Sequence, residues 1–167
     1  MHKRAAINLL LVTCIVALTA FLVPSGTDDA PPNPVVVSTI DPESIDRIAV
    51  LRAGKEELRF IKHPAGWQMS SPVNAPAHPD RIKAILAVLN ARSHAVYNPA
   101  DLNPDQIGIR HPGVTLKLNE HEFQFGGAAP LDQRRYVLFR NRLHLLRDGL
   151  YQQLLQPPEF FILKRED

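Results

Sequence analysis

An α+β fold is what this sequence predicts: an antiparallel sheet of successive hairpins with one main helix packed on it, preceded by an N-terminal transmembrane helix. Three observations carry that reading. Short stretches of alternating apolar and polar residues recur between turns rich in Gly, Pro, Asn and Asp. One segment has the period of an amphipathic helix, and the chain opens on an uncharged apolar run at 5–23 behind Lys3 and Arg4. No alternating βαβ units are present, which argues against a doubly wound nucleotide-binding fold.

The run "AAINLLLVTCIVALTAFLV" has the length of about 20 residues that a bilayer core requires, against about 7–15 for the apolar part of a cleavable signal. A retained signal-anchor over 1–23 is therefore expected. Two processed forms fit less well: cleavage near "VPS" places Pro24 inside the site, and lipoprotein-type cleavage at Cys14 leaves a long apolar stretch on the mature end. Lys3 and Arg4 are expected to stay cytoplasmic, which puts the body of the chain on the far side of the membrane. Cys14 is the only cysteine, so that body has no disulfide and no thiol chemistry.

A proline-rich tether over 24–39, opening with "PSGTDDAPPNP", leads to a folded domain expected over 40–163. At 167 residues, 45% hydrophobic and 22% charged, the chain has the size and composition of one globular domain with an appendage. Of 19 Lys plus Arg and 17 Asp plus Glu, Lys3 and Arg4 precede the first acid, Asp28, which leaves 17 against 17. So balanced a body lacks the positive field that binding a phosphate backbone requires, and no nucleic-acid partner is expected.

Local patterns place the elements along the chain. "RIAVLR" (47–52) and "ELRFIKH" (57–63) flank "AGKE" as a hairpin, and "HPAG" turns the chain into a third strand, "WQMS", with Trp67 as a core anchor. Pro72, Pro76 and Pro79 are expected to forbid continued strand pairing at their own nitrogens, and Pro79 also suits the first turn of a helix whose Ile82, Ile85, Leu86 and Leu89 fall on one face. The proline-studded stretch between Ser70 and His78 then reads as a sheet-to-helix crossover, not a functional loop. "SHAVYN" comes next as a strand, and one helical turn is expected at Asn103–Pro104. "VTLKLN" points Val114, Leu116 and Leu118 inward and "EFQF" answers with Phe123 and Phe125. "RRYVLFR" and "RLHLLRD" pair around Asn141, "LYQQLL" is a short helix, and "EFFILK" is a candidate closing strand.

Candidate chemistry is sparse. His63, His78, His94, His111, His121 and His144 stand singly, with no helical pair of the zinc-protease kind; proximity of His111 to His121 or Glu122 is the one arrangement the fold could create. Ser70, Ser71 and Ser93 lie in no G-x-S-x-G elbow, and the Asp28–Asp29 and Glu56–Glu57 pairs fall in tether or turn. "FGGAAP" (125–130) lacks the Lys-Ser/Thr and the long helix of a phosphate loop and reads as a strand-ending turn. No enzyme activity, cofactor or metal is expected. Arg134, Arg135, Arg140, Arg142 and Arg147 form the one basic concentration. They are either exposed hairpin positions that shield a sheet edge, or a surface for anionic lipid headgroups or an acidic partner, with Arg134, Arg135, Arg140 and Arg142 as its candidates.

"IDRIAVLR", "GWQMSSPVNAPAHPDRIKAILAVL", "DQIGIRHPGVTLKL", "FQFGGAAPLDQRRYVLF" and "LHLLRD" together resemble the bacterial DUF4340 family, a domain of unknown function, over about residues 40–155. Ile109 departs from the leucine frequent there. The resemblance implies an exported protein tethered to the bacterial inner membrane by a single pass, its domain periplasmic, in some members alongside transporter-like systems. It carries over no catalytic residue. The expected role is thus an interaction or assembly module with an envelope protein partner. The alternative is a small-ligand or carbohydrate-binding domain, or less readily a hydrolase, with Arg135, His111 or Tyr136 in a pocket.

Overall fold

Residues 35–130 and 133–163 are described by a computed structural model. Among them run eleven strands and two helices. The first part contains β1 (Val35–Val36), β2 (Arg47–Arg52), β3 (Leu58–His63), β4 (Gly66–Ser71), β5 (Ala75–Pro76), helix α1 (Pro79–Leu86), β6 (Arg92–Ser93) and β7 (Val96–Tyr97). The second contains β8 (Val114–Leu118), β9 (His121–Ala128), β10 (Arg134–Phe139), β11 (Arg142–Arg147) and helix α2 (Gly149–Leu154). Nine strands make one sheet in the order β5-β4-β3-β2-β8-β9-β10-β11-β7, while β1 and β6 pair separately. Every pairing is antiparallel.

The topology has a simple plan. Meander β2–β5 is followed by α1, meander β8–β11 is followed by α2, and the two meanders join along their first strands, β2 against β8. One apolar cluster gathers the inward residues of both halves: Ile48 and Val50, Leu58 and Phe60, Leu116, Phe123, Val137, with Ile82 and Ile85 of α1 and Leu154 of α2. Both helices therefore cover the same face of the sheet. Phe123 and Phe139 are cross-strand partners whose rings stack at 4.2 Å. Each such fully buried side chain contributes roughly 1.5–3 kcal/mol of burial free energy.

The α+β class, the hairpins and the helix stand as the alternation and periodicity predict. In α1, His78 is the N-cap position, Pro79 opens the helix and Asp80 lies in its first turn; Ile82 and Ile85 are fully buried, the helix ends at Leu86, and Leu89 is buried from the turns that follow it. The turn at Arg140 and Asn141 has φ of 44° and 59°, the left-handed pair that a two-residue hairpin demands.

Pro76 lies in β5, the sheet's outermost strand, opposite Gln68, where its nitrogen donates nothing and a residue without N–H is tolerated at an edge. Three expectations change. "SHAVYN" is not one strand. The chain pairs with β11 through Val96 and Tyr97, while Arg92 and Ser93 diverge to pair with β1. Residues 35–39, expected in the tether, belong to the folded domain: Val36 pairs with Arg92, and Val37 donates its N–H to Ala91 O at 2.9 Å. "EFFILK" closes the sheet by a single bridge, Ile162 with Ala77, after a 3-10 turn at Pro158–Phe160. The expected anchor at 5–23 and most of the tether lie outside the described residues, among which no helix is long and apolar enough to cross a membrane.

"FGGAAP" departs further. Gly126 and Gly127 are inside β9, not in a turn, and a register shift opposite them falls between Arg135 and Val137. The segment before β8 crosses the sheet there. Gly127 N–H donates to Ile107 O at 2.7 Å, and a Cβ on Gly126 would meet that same oxygen at 2.3 Å and Ile109 Cδ1 at 2.8 Å. These glycines are gaps that admit a crossing backbone.

Candidate functional site

At the β11 edge the chain forks. His94 N–H donates to Leu145 O and Leu145 N–H to Ala95 O, both at 3.0 Å, and then β6 turns away toward β1. The wedge between β6 and the end of β11 is floored by α1 and the first residues of α2. It forms a groove of about 490 Å³ lined by Ala84, Ala87, Val88, Ala91, Arg92, Ser93, His94, Phe125, Arg134, Leu145, Leu146, Arg147, Gly149 and Leu150. The floor is apolar and made of small side chains on the helix. The rim holds three arginines, and no acidic residue lines it among the described residues.

Each element delivers its share for a local reason. Ala84 in α1, Ala87 at its C-cap and Ala91 just beyond it all line the fork. Arg134 and Arg147 are opposite partners across the last rung of the β10–β11 hairpin. Arg92 and Arg147 are exposed and have no acidic partner among the described residues, whereas exposed Arg59, Lys117 and Arg110 are matched with Glu57, Glu122 and Asp105. Ser93, 1% exposed, donates its hydroxyl to Ala95 O at 2.6 Å and accepts from Leu145 N at 3.2 Å. That oxygen is committed to holding the fork and is not an available nucleophile.

The four arginines singled out from the sequence do not make one surface. Arg134 is half-buried and lines the groove. Arg135 is inside the structure, its side chain 11% exposed. Its Nε donates to Asp148 Oδ1 and its Nη1 to Gly126 O, both at 2.5 Å, and its guanidinium lies 3.5 Å from the centre of the Tyr151 ring. It ties β9 and β10 to α2. Arg140 and Arg142 sit at the opposite end of the hairpin, Arg140 in the turn with its guanidinium 5.3 Å from the Phe139 ring. The sequence singled out His94 only as an isolated histidine and missed Arg92 and the three alanines; spacing of Ala84, Ala87 and Ala91 ahead of Arg92 was the available signal.

The remaining polar candidates have structural surroundings. Neither His111 nor Tyr136 lines the groove. His121 Nε2 lies 3.3 Å from Glu120, and no group of three or more His, Cys, Asp or Glu among the described residues could hold a metal ion. His144 is buried in β11 between Val137 and Val96, both ring nitrogens without hydrogen-bond partners among the described residues; burial first, and then the nearby Arg142 charge, lower its pKa. Arg52 is buried too, and its two terminal nitrogens donate to Gln156 O and Glu56 O at 2.7 Å, closing the end of α2 onto β2. Burial lowers its pKa and Glu56 opposes the shift.

Comparison of the chain with protein-family models, with curated proteins and with solved structures finds no match.

Proposed function

We propose that the chain is a single-pass inner-membrane protein of the bacterial envelope whose periplasmic α+β domain acts by binding, as a module of an envelope or transporter-associated assembly, and that the groove at the β6–β11 fork is its binding surface. One observation carries this reading: Arg92 and Arg147 stand exposed on the rim of an apolar-floored groove with no acidic partner among the described residues, an arrangement that favours a partner both apolar and anionic. Binding is favoured over hydrolysis because the one serine at the groove is engaged by two backbone groups. The DUF4340 resemblance and the apolar run at 5–23 support the compartment.

A second reading, a receptor for a small diffusible ligand, is favoured by the volume of about 490 Å³, which falls within the range of small-molecule sites. The apolar floor suits an amphiphile better than a carbohydrate, whose hydroxyls would need partners.

The test compares full-length protein with its Ala87→Trp variant, which fills the groove from the exposed C-cap position of α1. After mild solubilisation, a stoichiometric companion of any chemical class should accompany the wild type and be lost from the variant. Equal recovery from both would place binding elsewhere. Protease cleavage of the domain in spheroplasts, with protection in intact cells, checks the orientation; protection in both would refute it.

A further inference from the structure

We infer that the occupant of the groove is one anionic membrane lipid, its acyl chain on the alanine floor and its phosphate between Arg92 and Arg147; this rests on the groove being the domain's binding surface. Three features of the fold converge on it. The first is charge: Arg92 and Arg147 stand at the two sides of the fork, exposed and without an acidic partner among the described residues, and guanidinium groups hold phosphate through paired hydrogen bonds.

The second is the polarity of the floor. Ala84, Ala87, Val88 and Leu150 offer no hydrogen-bonding side chain, and the Ser93 hydroxyl already serves Ala95 and Leu145. An extended peptide laid there would leave backbone N–H and C=O groups unmatched, whereas a hydrocarbon chain brings none. The third is reach. β6, which carries Arg92, pairs with β1, and β1 begins at Val35, twelve positions beyond the expected anchor's end at 23. Twelve extended residues span at most about 40 Å, which bounds the distance between Val35 and the expected anchor's end.

The experiment uses the full chain in its own membranes, with a photo-reactive benzophenone amino acid in place of Ala87 and, separately, in place of Leu51, which is exposed on the sheet face away from the helices. Irradiation at position 87 should give an adduct whose mass and phospholipase sensitivity are those of an anionic phospholipid. In an Arg92→Glu, Arg147→Glu background its yield should fall at least about tenfold, the loss of two charge-assisted contacts, while the melting transition followed by Trp67 fluorescence stays in place. Should the reversed charges disturb folding, Arg92→Gln, Arg147→Gln gives the same comparison. A polypeptide adduct at 87 would overturn the lipid assignment and leave the groove as the binding surface. Equal yields of zwitterionic and anionic lipid would overturn the phosphate assignment. An adduct no stronger at 87 than at 51 would overturn both inferences.

Discussion

Replacing Arg135 with methionine should destabilise the folded domain, because this arginine is an internal tie. The side chain is 11% exposed and its partner Asp148 21% exposed, so the pair is shielded but not fully removed from water. Breaking a buried pair from one side costs about 3–5 kcal/mol, and an exposed pair about 0–1. Partial exposure places this pair between the two, and the substitution also strips a donor from Gly126 O and a cation from the Tyr151 face. Methionine keeps much of the stem's packing. The sum is a loss of about 2–4 kcal/mol, and at about 4 °C per kcal/mol for a domain of this size the transition should fall by about 8–16 °C. Trp67, the single tryptophan and half-buried, reports it by fluorescence in the full-length protein. Asp148→Asn with Arg135→Met should cost less than the sum of the two single changes, since each alone strands the other group. A loss under about 0.5 kcal/mol, with additive singles, would refute the assignment of Arg135 as an internal tie and return it to the surface.

Two further outcomes rest on the same packing. Because burial lowers the folded-state pKa of His144 below its ordinary value of 6.5, the unfolded chain takes up the proton first; stability should fall as pH drops below about 6.5, and His144→Leu should flatten that slope without loss at neutral pH. Melting curves between pH 5 and 7.5 in both proteins check this, and parallel slopes would contradict it. Gly126→Ala sets a methyl 2.3 Å from Ile107 O, so the crossing segment must shift; a loss of about 1–3 kcal/mol is expected, with faster amide exchange at Gly127, whose N–H is held by that carbonyl.

The fold was legible where one local rule decides the outcome. Alternation in "VTLKL" and "RIAVLR", a two-residue turn at Arg140 and Asn141, and the spacing of Ile82, Ile85 and Leu86 behind Pro79 each specify an element without help from the rest of the chain. Arg135 shows where such rules fail. The register shift between Arg135 and Val137 breaks strict two-residue alternation, so neither the burial of Arg135 nor the position of Asp148 could be read from spacing. Gly126 and Gly127 look like a turn because the backbone that fills their gap comes from residue 107. The groove was illegible for the same reason: α1, β6, the end of β11 and the start of α2 meet only after the sheet has closed, and Arg92 gains its meaning from Arg147 across the fork.

Hydrogen–deuterium exchange mass spectrometry of the full-length protein, compared in native membranes and after delipidation in detergent, tests the central claim most directly. Occupancy of the fork predicts slower exchange in membranes over 84–94 and 145–150, with little change over 47–61, the strands at the other side of the sheet. Protection confined to 47–61, or none anywhere in the domain, would contradict it.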